Sequence, residues 1–126
     1  GDGGVYHKLT GLKFSGEIMP SDYNYDRYAV QKTTSAALNF AAVTAVASRI
    51  FKNFETEKPG YSKKLLKASK AAFSWAKANP NVKYNQPKDV KTGTYSEGKL
   101  NDEFNWAASE LLITTKDEAY GQRVMG

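Results

Sequence analysis

The chain has 126 residues, of which 40% are hydrophobic and 25% are charged, and its formal net charge is +5. This length allows one domain of ordinary size, and the composition is that of a globular protein rather than a disordered one. The absence of cysteine excludes disulfides, cysteine-ligated zinc sites and thiol nucleophiles from this chain. The single histidine, His7, excludes a metal site built from two histidines.

Both ends of the chain have the features of an internal segment. The sequence starts with Gly1 and Asp2 rather than Met, and residues 117–126 have the pattern of the first turns of a helix. We therefore expect residues 1–126 to form a single partial domain of a larger protein. No long apolar run is free of polar residues, so no membrane span is predicted, and no signal peptide is visible.

Residues 1–30 are rich in glycine and tyrosine, with short extended pieces predicted at 5–9 and 12–14. In the same region Tyr23, Tyr25 and Tyr28 alternate with charged residues. Flexible linkers are made largely of glycine and serine. The pattern therefore predicts an irregular but ordered connection.

A long helix is predicted over residues 35–54, capped by the hydroxyl of Thr34 or Ser35. Its side chains are apolar almost all round, which is typical of a helix buried on most sides. A second helix is predicted over 62–78 and ends before Pro80. One of its faces is apolar, and the other carries a row of lysines, namely Lys63, Lys64, Lys67, Lys70 and Lys77.

Residues 80–100 are predicted to form a loop, followed by a third helix from Asn101 or Asp102 to Thr115 and a fourth from about Asp117. The fold class is therefore all-α. Alternation of a buried helix with half-exposed helices is typical of a double-layered helical barrel. Three or four helices cannot close such a ring, which agrees with a partial domain.

Several kinds of active site are excluded or disfavoured by the motifs. There is no phosphate-binding glycine loop and no serine in a nucleophile-elbow pattern. Asp102 and Glu103 are adjacent on a helix, whereas glycosidases need two carboxylates that face each other across the substrate. Their interaction with the positive end of the helix dipole explains this pair better. No metal site is predicted.

Four aromatic or basic side chains remain as binding candidates. His7 alone is more typical of a structural or surface residue. Trp75 and Trp106 lie on apolar helical faces, where core packing is the better interpretation. Tyr95 lies in a glycine-flanked loop just before a helix, where stacking on a sugar ring is as reasonable as packing.

Four ordered segments that together cover nearly the whole chain resemble glycoside hydrolase family 9, whose members are mainly cellulases. The segments are DGGVYHK at 2–8 with IMP at 18–20, TTSAA at 33–37 with FAAV at 40–43 and SR at 48–49, the helix with WA at 75–76 and NP at 79–80, and Tyr95 followed by DEF at 102–104, WAA at 106–108 and EL at 110–111. Four motifs in the right order are far more specific than any one of them.

The resemblance implies part of an (α/α)6 barrel, or toroid, and hydrolysis of β-1,4-glucosidic bonds with inversion. In the family the catalytic base lies in an Asp-Ala-Gly-Asp motif and the acid is a glutamate near the end of the domain. Neither is present in this chain. The resemblance thus implies the middle portion of a catalytic domain, with no catalytic residue and no activity of its own.

The resemblance also implies the binding residues. His7 corresponds to a histidine that lines the substrate cleft, Tyr95 lies in a loop that shapes the same cleft, and Tyr6 is a weaker candidate. The expected partners are a β-glucan or cello-oligosaccharide and the remainder of the catalytic domain, without nucleic acid or membrane. No cofactor is expected, although calcium is common in the family. The family implies an extracellular or periplasmic location.

Two alternatives remain open at this stage. The first is a helical binding module whose lysine-rich face, Lys63 to Lys77, meets an acidic partner. A solvated outer face explains those lysines more simply, since that face carries no arginine or aromatic residues. The second is a related helical toroid with another activity, such as a lyase, because the decisive carboxylates are absent from the chain.

Overall fold

The computed structural model describes residues 1–95 and 98–125. In this part of the chain four α-helices contain most of the regular structure: α1 (Thr34–Phe51), α2 (Tyr61–Ala78), α3 (Asn101–Thr115) and α4 (Glu118–Met125). Two short strands, β1 (Leu9–Thr10) and β2 (Tyr28–Ala29), pair in an antiparallel ladder. Single-turn 3₁₀ helices occupy Pro20–Asp22 and Lys52–Phe54. The predicted helices are thus present, while β2 lies where no strand was predicted.

The hydroxyl that caps α1 is that of Thr33, not of Thr34 or Ser35. Thr33 Oγ1 accepts a hydrogen bond from the Ala36 amide at 3.3 Å. The Thr34 hydroxyl is used elsewhere: it donates to the Asn79 carbonyl at 2.5 Å and accepts from the Val82 amide at 2.8 Å. The cap prediction was therefore wrong by one or two residues.

The core is formed where α1 packs against α2 and α3. Its fully buried members are mostly alanines, contributed by all three helices and including Ala37, Ala41 and Ala45 of α1, and these small side chains allow the helices to approach closely. Because the helices lie close together, two buried serines of α2 donate hydrogen bonds to backbone carbonyls of α1. Ser69 donates to the Ala41 carbonyl at 2.6 Å, and Ser62 donates to the Ser48 carbonyl at 2.7 Å.

One side of α1 remains uncovered. Phe40, Val43 and Ile50 are between 39% and 54% exposed, and Phe54 continues the row in the following 3₁₀ helix. We call these four residues the exposed α1 stripe. Burial on most sides was predicted for this helix. Within the described residues, α1 instead buries the faces that meet α2 and α3 and leaves this apolar stripe exposed.

By length and composition alone, residues Thr34–Phe54 are long and apolar enough to cross a membrane, with a mean hydropathy of 1.2. Half of that stretch is buried inside the protein. The core helix of a globular domain has the same length and composition. Packing against two other helices accounts for the apolar character of α1.

The tryptophans differ in their environment. Trp75 is partly buried and packs against the hydrophobic core that α1, α2 and α3 form, as predicted. Trp106 lies on α3 and is 42% exposed in the part of the chain that the structure describes. The prediction that it packs in the core was therefore wrong. The buried face of α3 consists of Phe104, Ala107, Ala108 and Leu111, and Trp106 lies outside it.

An ion pair joins α1 to α3. Arg49 Nη2 lies 2.6 Å from Glu110 Oε2, and Arg49 Nη1 donates to Thr114 Oγ1 at 2.6 Å. The two charged side chains are 31% and 18% exposed. Partial burial reduces the screening of this pair, and the guanidinium hydrogen-bonds to more than one group.

We expect the Arg49–Glu110 pair to contribute measurable coupling to stability. In a double-mutant cycle with Arg49→Met and Glu110→Gln, the coupling free energy should be about 1–2 kcal/mol, because hydrogen bonds to charged groups are stronger than neutral ones. Urea denaturation of the four proteins of the cycle measures it. A coupling below about 0.3 kcal/mol, the value of many surface pairs, would contradict this expectation.

Candidate functional site

The N-terminal segment runs antiparallel to the residues that lead into α1. Leu9 pairs with Ala29, and the same register continues to a bridge between Tyr6 and Lys32. The His7 amide donates to the Gln31 carbonyl at 2.9 Å. This ladder places His7 beside the N-terminus of α1.

Two glycines hold the start of that segment against α2. Gly3 has a φ of +92°, and a Cβ atom at this position would lie 2.4 Å from the Ala71 carbonyl oxygen. A Cβ at Gly4 would lie 2.7 Å from the Trp75 ring. Only glycine allows the backbone to pass this close to the helix. The Gly-Gly pair is therefore needed for packing.

Both ring nitrogens of His7 have partners within the chain. Nε2 lies 3.0 Å from the Thr94 carbonyl oxygen, and Nδ1 lies 3.0 Å from Thr33 Oγ1. A carbonyl oxygen can only accept, so Nε2 carries the proton, and in the neutral ring Nδ1 accepts from the threonine hydroxyl. The bond at Nε2 is exposed and the one at Nδ1 is partly buried. Nε2 is thus the nitrogen that faces solvent.

Tyr84 covers one face of the His7 ring. The two ring centroids are 4.3 Å apart and the planes differ by 10°, which is a stacked arrangement. Burial raises the pKa of the Tyr84 hydroxyl. Among the described residues that hydroxyl is buried without a hydrogen-bond partner. Tyr84 therefore fixes the plane of the imidazole.

The loop that carries Tyr84 is fastened to the residues before α1. Gln31 Nε2 donates to the Lys83 carbonyl at 2.8 Å, and Gln31 Oε1 accepts from the Asn85 amide at 3.1 Å. The Thr34 amide donates to the Val82 carbonyl at 3.0 Å. These bonds hold the loop that follows α2 against the residues that lead into α1.

Lys8 holds the second half of the same loop. Its Nζ donates to Gln86 Oε1 and Thr92 Oγ1, each at 3.1 Å, and also to the Gly93 carbonyl. The ammonium group lies 5.2 Å from the centre of the Tyr84 ring and 5.7 Å from the centre of the Tyr95 ring. Both distances are in the range of cation–π attraction. All three protons of the ammonium group therefore have acceptors in the loop.

Tyr95 projects from this anchored loop. Its ring is 72% exposed, and its backbone has a φ of +53°, a conformation that few residues other than glycine adopt. Its ring packs over Gly93, where a Cβ would lie 3.1 Å from the ring. The residue before it, Thr94, accepts the hydrogen bond from His7. The exposed ring of Tyr95 is thus presented beside His7.

The structure brings together two of the three predicted binding residues. His7 and Tyr95 are linked through Thr94 and Lys8. Tyr6 is 55% exposed and has different neighbours: Lys32 Nζ lies 5.7 Å from its ring centre and forms an ion pair with Asp2. This ion pair, and next the Gly4 amide, lower the pKa of Asp2. Substrate binding by His7, Tyr95 and Tyr6 stays a prediction.

Sequence reasoning missed Lys8 and Tyr84 as parts of this site. Lys8 follows His7 directly in the DGGVYHK segment, which was the available signal. No sequence signal pointed to Tyr84, because the sequence of a loop does not show which ring a tyrosine will stack against. The site is therefore a cluster of aromatic and basic groups from two distant segments.

The adjacent acidic residues Asp102 and Glu103 belong to the start of a helix. Asp102 and Glu103 lie in the first turn of α3, as predicted. The pKa of the Asp102 carboxyl is lowered, first by its hydrogen bond with the Glu103 side chain and then by backbone amides. Within residues 1–95 and 98–125, no group of three or more metal-ligating side chains comes together.

The lysine-rich face of α2 is a solvated surface. Lys63, Lys64, Lys67, Lys70 and Lys77 are all exposed. The opposite face buries Ser69, Ala72, Phe73 and Ala76. This is the ordinary arrangement of an outer amphipathic helix.

Comparison with known proteins gives the family. A sequence model described as Glycosyl hydrolase family 9 matches residues 1–126. The xyloglucan-specific endo-beta-1,4-glucanase BoGH9A of Bacteroides ovatus is 44% identical over 131 residues, and the match covers 98% of this chain. Endoglucanase D of Acetivibrio thermocellus is 34% identical over 120 residues, covering 95% of the chain.

Solved structures give the same result. A Bacteroides ovatus GH9 structure superposes with a TM-score of 0.92 at 45% identity, over 98% of this chain and 24% of the other. A thermostable endoglucanase from Alicyclobacillus acidocaldarius, solved as the D468A mutant, superposes with a TM-score of 0.89 at 29% identity, over 98% of this chain and 23% of the other. These neighbours are (α/α)6 barrels, so the prediction of an all-α chain that forms part of such a toroid is confirmed.

The match covers only a part of these relatives. The chain spans 22% of the Bacteroides ovatus enzyme and 19% of Endoglucanase D. The resemblance carried by the four ordered sequence segments is confirmed over the full length of the chain. The chain belongs to glycosyl hydrolase family 9.

Proposed function

We propose that this chain is part of a catalytic domain that hydrolyses β-1,4-glucosidic bonds in cellulose or a related β-glucan with inversion. The observation that carries the proposal is the 44% identity to a xyloglucan-specific endo-beta-1,4-glucanase over 98% of the chain. A location outside the cytoplasm, extracellular or periplasmic, fits a polymeric substrate.

The role of this segment is to bind the glucan, while the carboxylates that perform acid–base catalysis lie outside it. Inversion needs one carboxylic acid at the leaving oxygen and one carboxylate that activates water. The His7 Nε2–H faces solvent and can donate to a sugar hydroxyl in place of, or together with, the Thr94 carbonyl. The exposed ring of Tyr95 can stack on the apolar face of a pyranose.

The remainder of the catalytic domain is the partner we propose for the exposed α1 stripe. Phe40, Val43, Ile50 and Phe54 form a row of large, partly exposed apolar side chains. Exposed rows of this kind mark contact surfaces. The hydrolysis needs no cofactor, and we propose none for this segment.

The proposed activity is tested with the full-length protein that contains this chain. Xyloglucan, carboxymethyl cellulose and cello-oligosaccharides are incubated with it, and the first product anomer is followed by NMR. Release of α-anomer from a β-linked glucan is expected. Absence of hydrolysis of all three substrates, or a β-anomer as the first product, would refute the assignment.

We predict that His7→Ala lowers kcat/KM on β-glucan by about 10- to 100-fold. The variant removes one hydrogen-bond donor to the sugar and also the hydrogen bond that holds the Thr94 carbonyl. Each hydrogen bond contributes about 0.5–1.5 kcal/mol of binding or stability. Steady-state kinetics on soluble glucan measures the loss.

Tyr6→Ala is the matched comparison, because Tyr6 is the neighbouring residue and has other contacts. Because Tyr6 is the weaker of the predicted binding residues, we expect a smaller loss than for His7→Ala, a fall in kcat/KM of about threefold, which is the effect of a single weak contact. Equal losses in the two variants would show that the segment as a whole, rather than the His7 side chain, is required.

A further inference from the structure

A second concave surface is lined by aromatic rings of residues 12–28 and adjoins a groove that contains Tyr95. One part of it, with a volume of about 400 Å³, is lined by Phe14, Tyr23, Tyr25 and Tyr28 together with Leu12 and Asp26. We call this surface the tyrosine trough. Phe14, Tyr25 and Tyr28 are 71%, 68% and 42% exposed, so their rings are available to a ligand.

The trough is continuous with the candidate site. Tyr23 and Phe14 also line a neighbouring groove of about 510 Å³, whose far wall contains Lys8, Thr92 and Tyr95. A ligand lying along Tyr95 can therefore extend past Tyr23 into the trough. Both volumes are in the range of small-molecule sites in proteins.

Tyr23 is held as a fixed ridge between the two parts. Its hydroxyl approaches the backbone of Gly11, where a Cβ would lie 2.3 Å from the oxygen. Its ring meets Tyr25 edge-on at 5.5 Å, and the Arg27 guanidinium lies 5.6 Å from its centre. These contacts orient the rings before any ligand arrives, which reduces the entropy lost on binding.

The chemistry of the lining selects a neutral, hydroxyl-rich ligand. Phenol rings offer flat apolar faces and hydroxyl groups, while the lining also contains one cationic and one anionic side chain, Lys13 and Asp26. A polyanion would find no uniform positive surface here. A pyranose has an apolar C–H face and a polar edge, which matches this lining.

The tyrosine trough differs in shape and in side-chain chemistry from the exposed α1 stripe, which resembles a helix-packing surface. The stripe is a row of apolar side chains along α1 and the 3₁₀ helix that follows it. The trough is concave, contains tyrosine hydroxyls and charged groups, and is built by loop and strand residues. Helix packing needs the first kind of surface, and sugar binding needs the second.

We propose that the tyrosine trough is an additional binding region for glycosyl units of a β-glucan chain, beyond the units that contact His7 and Tyr95. This inference rests on the proposed function, because it requires the ligand to be a β-glucan. The trough then favours long or branched polysaccharides over short oligosaccharides.

The test compares long and short substrates in the full-length protein. The variant combines Tyr25→Ala with Tyr28→Ala, two exposed rings of the trough. We expect kcat/KM on xyloglucan polymer to fall by about 5- to 20-fold, the loss of one or two aromatic stacking contacts. On a short aryl cellobioside we expect a change below twofold. The matched control, Tyr25→Phe with Tyr28→Phe, keeps both rings and should stay within threefold on the polymer.

Affinity electrophoresis in xyloglucan-containing gels gives a readout that needs no hydrolysis. The alanine variant should show a 5- to 20-fold weaker apparent affinity, and its melting temperature should match that of the phenylalanine variant. If the parent protein hydrolyses no glucan, the proposed function fails, and gel retardation that depends on the two rings still supports the trough. Unchanged retardation, or equal loss on long and short substrates, overturns the trough.

Discussion

Replacing Gly3 with alanine is expected to lower the free energy of unfolding by about 3 kcal/mol. A left-handed backbone costs an alanine about 1–2 kcal/mol, and overpacking against a helix costs about 1–3 kcal/mol more. Both apply at Gly3, whose φ is +92° and whose added Cβ would lie 2.4 Å from the Ala71 carbonyl oxygen. Urea denaturation of the full-length protein measures the change.

Gly16→Ala is the control that isolates the backbone contribution. Gly16 also has a positive φ, +73°, but a Cβ at this position would have nothing within 4 Å. We therefore expect Gly16→Ala to cost only about 1–2 kcal/mol. The difference between the two variants measures the close approach of the N-terminal segment to α2. Equal losses would mean that the segment does not pack on α2 as the structure has it.

The helices could be predicted because their signals are local. Periodic apolar residues and Pro80 define α2 from the sequence alone, and the predicted bounds differ from Tyr61–Ala78 by a single residue. The exact cap of α1 could not be predicted in the same way. Thr33, Thr34 and Ser35 all carry hydroxyls that can cap a helix, and the choice depends on tertiary bonds from Thr34 to Asn79 and Val82.

The β-ladder and the site depend on contacts between distant segments. β2 contains two residues, too few for a period-two pattern to be recognised. His7 and Thr94 are 87 positions apart and meet because Gln31 and Lys8 fasten the intervening loop. No local pattern encodes such a meeting. The family resemblance supplied His7 and Tyr95 as candidates, and the structure supplied the reason they lie together.

Lys8→Met is expected to raise KM for β-glucan by about tenfold or more, with a smaller change in kcat. Lys8 is a positioning residue in this proposal: it fixes the loop that presents Tyr95 through three hydrogen bonds and the attraction between its ammonium group and two rings. Hydrogen bonds from a charged donor are stronger than neutral ones. Lys88→Met, which removes an exposed lysine of the same loop, should leave KM within about twofold.

A double-mutant cycle with Tyr95→Ala shows whether Lys8 acts through this ring. If Lys8 affects substrate binding by positioning Tyr95, Lys8→Met should add less than about twofold to KM once the ring is removed, because the two residues then form one unit. Full additivity of the two losses would instead mean that Lys8 and Tyr95 act independently. In that case the network that joins Lys8 to Gln86, Thr92 and Gly93 would stabilise the loop without shaping the binding surface.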